Sequence, residues 1–386
     1  MKRYAIIGAG AAGCFCAIEL KRRCPEAAVE IFEAAGKPLG KVALTGGGRC
    51  NLTNSFASVR SMEEVYPRGA SLMKRILKEF GPRETMDWFE KEGVRLTVQE
   101  DCCVFPVSQD AMQIVRTLLS LISRLGITLH CNSRITDIRA FAGSYDATVI
   151  TTGGGTAGLV ESPDIPVIPQ IPSLFTFNID DRALKSLMGT VVENASLSFP
   201  GTKMRSRGAL LITDWGLSGP ATLKLSSYGA RYLSECGYRA PLAVRWAERL
   251  ERPDSQKMIS STPPEGISSR LWKYLIARSG LREDIRWSEL GSKGFNRLSE
   301  TVSNDTYRIT GRCHFKEEFV TCGGVSLDAI EYGTMRSKTD KELYFAGEVL
   351  DIDAITGGFN LQAAWSTGWT AAKGIAAAEM DHMDLE

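Results

Sequence analysis

Residues 4–13 read Tyr4-Ala5-Ile6-Ile7-Gly8-Ala9-Gly10-Ala11-Ala12-Gly13. Tyr4–Ile7 is an apolar run of strand type, Ala11–Arg23 carries a helical pattern, and Ala28–Glu33 reads as a second strand. The N-terminus is therefore a βαβ unit with G-x-G-x-x-G between strand and helix. Gly8 permits the tight turn, Gly10 lets the backbone approach a pyrophosphate, and Gly13 allows close helix–strand packing. The helix start at Ala11 and Ala12 offers free N–H groups and the positive end of the dipole to phosphates. Glu33 follows Gly13 by twenty residues, where a carboxylate accepts from a ribose diol and repels a 2′-phosphate. Strand, helix and acid together point to a dinucleotide containing adenosine. A glycine-rich turn in an ordinary α/β protein is the weaker reading.

Glycine is abundant, 37 of 386 residues against a typical ~7%, and it gathers in three further clusters. Gly40-Lys41 precedes Thr45-Gly46-Gly47-Gly48-Arg49-Cys50-Asn51. Three consecutive glycines support neither helix nor strand cheaply, so this stretch suits a backbone passing a ligand, with Lys41, Arg49 and Asn51 as polar contacts. Thr151-Thr152-Gly153-Gly154-Gly155-Thr156-Ala157-Gly158 repeats G-x-G-x-x-G. Prolines rather than a helix follow it, so it reads as the chain crossing near the first cofactor. Gly347-Glu348 and then Thr356-Gly357-Gly358-Phe359-Asn360-Leu361-Gln362 open the last helix. A helix N-terminus there would stabilise the negative charge of a reduced flavin.

Between these clusters, amphipathic helices are expected around Leu72–Phe80, Arg83–Glu92 and after Ser108. Short strands are expected over Ile127–Cys131, 133–139 and 146–151. Pro163, Pro166, Pro169 and Pro172 recur every third residue, the period of a stiff polyproline II connector. Residues 174–250 look strand-rich, 253–303 helical and charged, and Leu361–Met380 a long Ala-rich helix. The expected fold is α/β. A discontinuous Rossmann-like domain over 1–173 and 335–386 is interrupted by a β-rich domain over 174–252 and 304–334, which carries a helical insert over 253–303.

Composition excludes several classes. Lys and Arg number 46 against 45 Asp and Glu, so the total charge points to neither nucleic acid nor an anionic membrane. Ten cysteines without C-x-x-C and three histidines argue against a disulfide framework and against a zinc site. The apolar start is broken by Gly8, Gly10 and Gly13 and lacks a cleavage site, and no apolar run spans a membrane. A cytoplasmic location with reduced thiols is the expectation.

The four clusters together resemble the two-dinucleotide-binding-domain flavoproteins, within them the family that includes aminoacetone oxidase and the 3-dehydro-bile-acid reductases. The resemblance rests on Ile6–Gly13 with Glu33, Gly40–Asn54, Gly208–Pro220 and Thr321–Gly374. It implies FAD, held by Gly8 to Gly13 at the pyrophosphate and Glu33 at the adenosine ribose. Lys41 and Thr45–Asn51 would line the flavin side, and Gly347-Glu348 with Gly357–Gln362 would cover ribityl chain and ring. Two features depart from the family pattern: a shortened strand meander before Thr152, and no second glycine stretch after the crossing.

The leading functional expectation is an FAD-dependent oxidoreductase passing a hydride between flavin N5 and a small organic substrate. NAD(P)H is a possible donor without its own Rossmann fingerprint. The alternative is a flavoprotein without small-molecule turnover, an electron carrier or an RNA-associated protein. Balanced charge and the offset of Arg270, Lys273, Arg278, Arg282 and Arg286 by Glu283, Asp284 and Glu289 argue against RNA. No catalytic residue is assigned: Cys50 reads as a packing cysteine before a redox thiol, and His314 as structural.

Overall fold

The computed structural model describes residues 1–253, 256–313 and 320–383, the side chains of 381–383 excepted; His314 lies outside them. The chain forms two compact units, Met1–Ser173 with Glu317–Glu386, and Leu174–Lys316.

The first unit is built on a seven-stranded sheet. Its order is Ile330–Glu331, Arg336–Ser337, Leu343–Phe345, Ala147–Ile150, Arg3–Ile7, Ala28–Phe32 and Thr128–His130. The last five run parallel. Tyr4–Ile7 is buried along its whole length, as a central strand covered on both faces must be. Helix Ala11–Arg23 follows at once, with Lys21, Arg22 and Arg23 in its last turn, where cations complement the dipole. Phe15 on this helix packs against Trp88 at 4.6 Å, Trp365 at 5.4 Å and Phe80 at 5.5 Å between ring centroids. This aromatic cluster joins it to helices Pro82–Lys91 and Phe359–Met383. A Cβ at Gly368 would lie 2.7 Å from Ala12 O, so the two long helices approach backbone to backbone.

Two local expectations need correction. Residues 133–139 form no strand. Asp137 accepts from Ala140 N at 3.0 Å and caps a short helix, Ile138–Ala142. The proline segment is no free connector either. Val167–Ser173 is a strand, antiparallel to Val320–Val325, with a bulge at Cys322/Gly324. A two-stranded ribbon has open edges on which prolines lose no ladder bond. That pairing draws residues 320–334 into the first unit, where the sequence had suggested the β-rich one. Gly40–Gly48 begins as helix and breaks at Thr45, Gly46 and Gly47, in keeping with the cost of a glycine triplet in a helix.

The second unit is a closed barrel of six strands in the order Val191–Ser198, Arg205–Ile212, Gly216–Ser218, Phe177–Ile179, Asp305–Arg312 and Ala240–Arg245. Helices Pro220–Tyr228 and Ala230–Glu235 also occur within it, in a stretch that reads as strand-rich. Helix Ser269–Arg278 is pinned by Arg278, which donates to Asp305 Oδ1 at 2.5 Å, Asp181 Oδ2 at 3.1 Å and Thr306 O at 2.6 Å. Tyr274 donates to the same Asp181 carboxylate at 3.0 Å.

Candidate cofactor site

The glycine clusters of the first unit meet at the C-terminal end of the parallel strands, where open α/β sheets bind ligands. Gly8 has φ +109°, and a Cβ on it would lie 2.5 Å from Thr151 O. Thr151 Oγ1 donates to both Ile7 O and Gly8 O, tying the first and third clusters together. A Cβ on Gly13 would strike Gly8 O at 2.0 Å. Around Gly10, by contrast, a Cβ would meet nothing within 4 Å. Gly10 opens the helix in an extended conformation with no side-chain cap, so first-turn N–H groups remain for a ligand.

Glu33 holds this turn from the second strand. Its Oε2 accepts from Ala9 N at 2.8 Å and its Oε1 from Ala35 N at 2.7 Å, which uses two of roughly four acceptor positions on the carboxylate.

Glu348 joins the second, third and fourth clusters. Lys41 Nζ donates to its Oε2 at 2.8 Å, and Thr321 N donates to its Oε1 at 2.7 Å. A Cβ on Gly154 would fall 2.0 Å from Thr321 Oγ1 and 3.1 Å from Glu348 Cδ, and one on Gly153 3.9 Å from Glu348 Oε2. Gly347, at φ +77°, would push a Cβ to 2.8 Å from the Ala12 methyl. Thr152 accepts from Thr156 Oγ1 at 2.7 Å. Thr321 opens one of the matched segments, but it reaches Glu348 through a backbone N–H, which no residue type announces.

In the second cluster, Gly46, Gly47 and Gly48 all take positive φ. Thr45 Oγ1 donates to Val42 O at 2.8 Å, and Arg49 Nε to Gly46 O at 3.1 Å, its guanidinium 4.5 Å over the Phe105 ring. Cys50 is buried, and burial pushes its thiol up to about 12 against the hydrogen bond from Thr45. A thiol so placed stays protonated at neutral pH and is no nucleophile. The Asn51 amide, oriented to satisfy its neighbours, donates to Thr53 O at 3.0 Å and accepts from Gly358 N at 3.2 Å.

The fourth cluster spends its side chains on the protein. Asn360 brackets the Ala354 backbone, donating to its O at 3.0 Å and accepting from its N at 2.9 Å. Gln362 is fully buried, accepts from Thr53 Oγ1, and donates to Thr85 Oγ1 and Ser366 Oγ at 2.9 Å each. Phe359 packs edge-on against Phe56 at 5.0 Å, while Leu361 is half-buried. Beside this loop, Arg68 makes a two-pronged ion pair with Asp353, which also accepts from Ser173 Oγ at 2.9 Å. Asp353 is fully buried, and burial pushes its carboxyl up although Arg68 pulls the other way. No spacing in the sequence links Arg68 to Asp353. A surface depression of about 500 Å³, lined by Arg75, Glu331, Tyr332 and Lys338 among others, shares no residue with the glycine clusters.

Residues 2–374 match the family described as HI0933-like protein Rossmann domain. The chain belongs to that family. By class it is an FAD-dependent oxidoreductase. It is 27% identical to a 3-dehydro-bile acid delta(4,6)-reductase of Clostridium scindens, over 98% of this chain and 100% of the relative. It is 28% identical to a ribosomal RNA dihydrouridine synthase of Escherichia coli, over 97% of this chain and 98% of that one. Among solved structures it is similar to a flavocytochrome c3 fumarate reductase, with 15% identity, TM-score 0.43, and 97% of this chain and 78% of that one covered. Among the described residues no helix is long and apolar enough to cross a membrane.

Proposed function

We propose that the protein is an FAD-dependent reductase of carbon–carbon double bonds conjugated to a carbonyl group. The observation that carries this reading is that two relatives, matched over nearly their whole length, are named for unlike substrates with one bond in common. A delta(4,6) double bond conjugated to a 3-oxo group and the uracil ring of uridine are both electron-poor alkenes next to a carbonyl.

The site residues fit FAD on their own geometry. Open space at Gly10 and the uncapped N-terminus of the first helix suit a pyrophosphate held by N–H groups of Ala11, Ala12 and Gly13. Glu33 keeps acceptor positions for the adenosine ribose. Lys41, Glu348 and the Gly46–Gly48 turn would line the flavin side, with Thr152, Gly153 and Gly154 beneath the crossing. When bound, the flavin supplies hydride transfer at N5. The protein's own part is to hold the Gly347–Gly358 backbone still, which Asn51 and Asn360 do through their hydrogen bonds to Gly358 and Ala354, while Gln362 ties the helix start to Thr53, Thr85 and Ser366 and Leu361 would lie beside the ring. NAD(P)H is the proposed electron donor.

Anaerobic titration of the purified protein with NADH and NADPH tests this. Bleaching of the flavin by one nucleotide, and its return on adding a conjugated enone or uridine-containing RNA without oxygen, is the expected result. A protein that neither carries nor binds FAD, or whose reduced flavin responds to oxygen alone, would overturn it.

A further inference from the structure

Hydride addition to an alkene conjugated to a carbonyl group has a fixed pattern of charge. The hydride bonds the far alkene carbon, and the alkene pair shifts toward the carbonyl to form an enolate. The oxygen carries the new negative charge until a proton from water bonds the near alkene carbon. A group donating to that oxygen lowers the barrier more than it tightens substrate binding, because the charge exists only once transfer begins.

Two cationic side chains stand in the four glycine clusters, Lys41 and Arg49. Lys41 is committed, its Nζ donating to Glu348 Oε2 at 2.8 Å. Most neutral donors are turned to the protein as well. Thr45 donates to Val42 O, Asn51 to Thr53 O, Asn360 to Ala354 O, and Gln362 to Thr85 and Ser366. Beside the fourth cluster, Tyr66 donates to Phe359 O at 2.9 Å and Arg68 is paired with Asp353.

Arg49 differs from all of these. It directly follows the Gly46–Gly48 turn, is exposed, and makes no ion pair among the described residues. Its Nε donates to Gly46 O at 3.1 Å, and its guanidinium lies 4.5 Å over the Phe105 ring. Phe105 is buried, on the middle strand, Cys103–Pro106, of a three-stranded sheet. Gly46 rests on the same ring: a Cβ there would lie 3.1 Å from Phe105 Cε1. These contacts fix the plane of the guanidinium and use one of its five N–H donors. Nη1 and Nη2 donate to no protein atom among the described residues. A long side chain is thus held on a rigid platform with its fork unused.

From this placement we infer that Arg49 is a catalytic residue, its free Nη groups holding the substrate's carbonyl oxygen as it becomes an enolate. The inference rests on the reductase reading and supplies that reading with a catalytic group. Arginine stays charged at any working pH, so it stabilises the oxygen without giving up a proton. Lysine would lack the planar fork that the Phe105 ring orients.

Two measurements on the FAD-loaded full chain test this. In the first, flavin titrated to the reduced state with dithionite is mixed without oxygen with 2-cyclohexenone, and the return of its colour is timed. Arg49→Met should slow that return about 100- to 1,000-fold, the usual loss for one donor to a developing oxyanion. Arg49→Lys should fall between Arg49→Met and the parent. The second measurement needs no turnover. 4-Nitrophenol, whose coloured anion mimics an enolate, is titrated with the oxidised protein across a pH series. The parent should bind the anion and shift its ionisation to lower pH. Arg49→Met should bind it about 10-fold more weakly or worse, the worth of a charge-assisted hydrogen bond, and leave its ionisation unshifted. Both variants should hold as much FAD as the parent. Equal reoxidation in the parent and Arg49→Met, or no shift of the phenol by the parent, would overturn the inference and leave the reductase reading intact. Loss of FAD from Arg49→Met would also overturn it, by making Arg49 a cofactor ligand. A parent that shifts the phenol through Arg49 yet is not reoxidised by the enone would overturn the reductase reading and keep Arg49 as an oxyanion contact.

Discussion

Gly8–Gly13 and Gly153–Gly158 carry the same G-x-G-x-x-G pattern and fold into different things. After Gly13 the chain runs on as a helix of 13 residues, whereas Gly158 sits in the three-residue turn Ala157–Leu159. In the first stretch the outer glycines are forced by the protein's own backbone, and the middle one faces open space. In the second, Gly155 and Gly158 would meet nothing within 4 Å, and the crowded position is Gly154, which the pattern does not mark. A shared spacing therefore says little until each glycine is asked what its missing side chain would touch. Substitutions at Gly13, Gly10 and Gly158 separate three answers: the fold, the ligand and neither.

Gly13→Ala should have the largest effect on the cofactor-free fold. Its methyl group would lie 2.0 Å from Gly8 O and 2.5 Å from Thr151 Oγ1, and the first contact is backbone that a rotamer change cannot relieve. The helix must shift off the strand, at about 3 kcal/mol, the upper part of the usual overpacking range. That corresponds to a melting temperature lower by about 10 °C for a unit of this size. Thermal unfolding of the FAD-free protein measures it. A loss of less than about 2 °C would mean that the close approach of helix and strand carries no packing constraint.

How far the sequence was legible follows the same division. The strand–turn–helix–strand at residues 3–32 was readable because its determinants are local: a continuous apolar run, the glycine spacing that follows it, and the helical pattern of Ala11–Arg23. The pairing of Val167–Ser173 with Val320–Val325 was not, because the partner lies some 150 residues away, and the proline period suggested a structure that needs no partner. Arg68 and Asp353, 285 positions apart, left no trace in spacing. The fourth cluster shows a subtler limit. Asn360 and Gln362 belong to a stretch whose glycine turn and helix start were readable, yet the direction of their side chains, into the protein, depends on Ala354, Thr53 and Thr85 arriving from elsewhere.

Gly10→Val should act on the ligand and spare the fold. Gly10 has φ −82° and ψ −168°, extended backbone that a β-branched residue adopts readily, and a Cβ would touch no protein atom within 4 Å. The FAD-free variant should melt within about 2 °C of the parent, since a mutation free of steric conflict falls within about 0.5 kcal/mol. FAD retention, read as the ratio of flavin to protein absorbance, should fall to a small fraction, because the isopropyl group fills the approach to the pyrophosphate. The variant also forfeits the stability that bound cofactor adds by mass action, about 3–4 kcal/mol when FAD exceeds its dissociation constant by 100- to 1,000-fold. Full FAD content in Gly10→Val would move the pyrophosphate away from the first turn.

Gly158→Ala should change least, and in the opposite direction. The residue is exposed, its φ is not positive, and a Cβ there would meet open space. Replacing glycine where alanine fits the native backbone narrows the unfolded ensemble and stabilises by about 0.4–1 kcal/mol. The expected result is a melting temperature equal to or up to about 4 °C above the parent, with FAD content unaltered. Loss of FAD from this variant would give the second G-x-G-x-x-G a phosphate-contacting role like that of Gly10, and the contrast between the two stretches would collapse. Parental FAD content alongside the loss in Gly10→Val would instead restrict the nucleotide motif to the stretch that a strand precedes and a long helix follows.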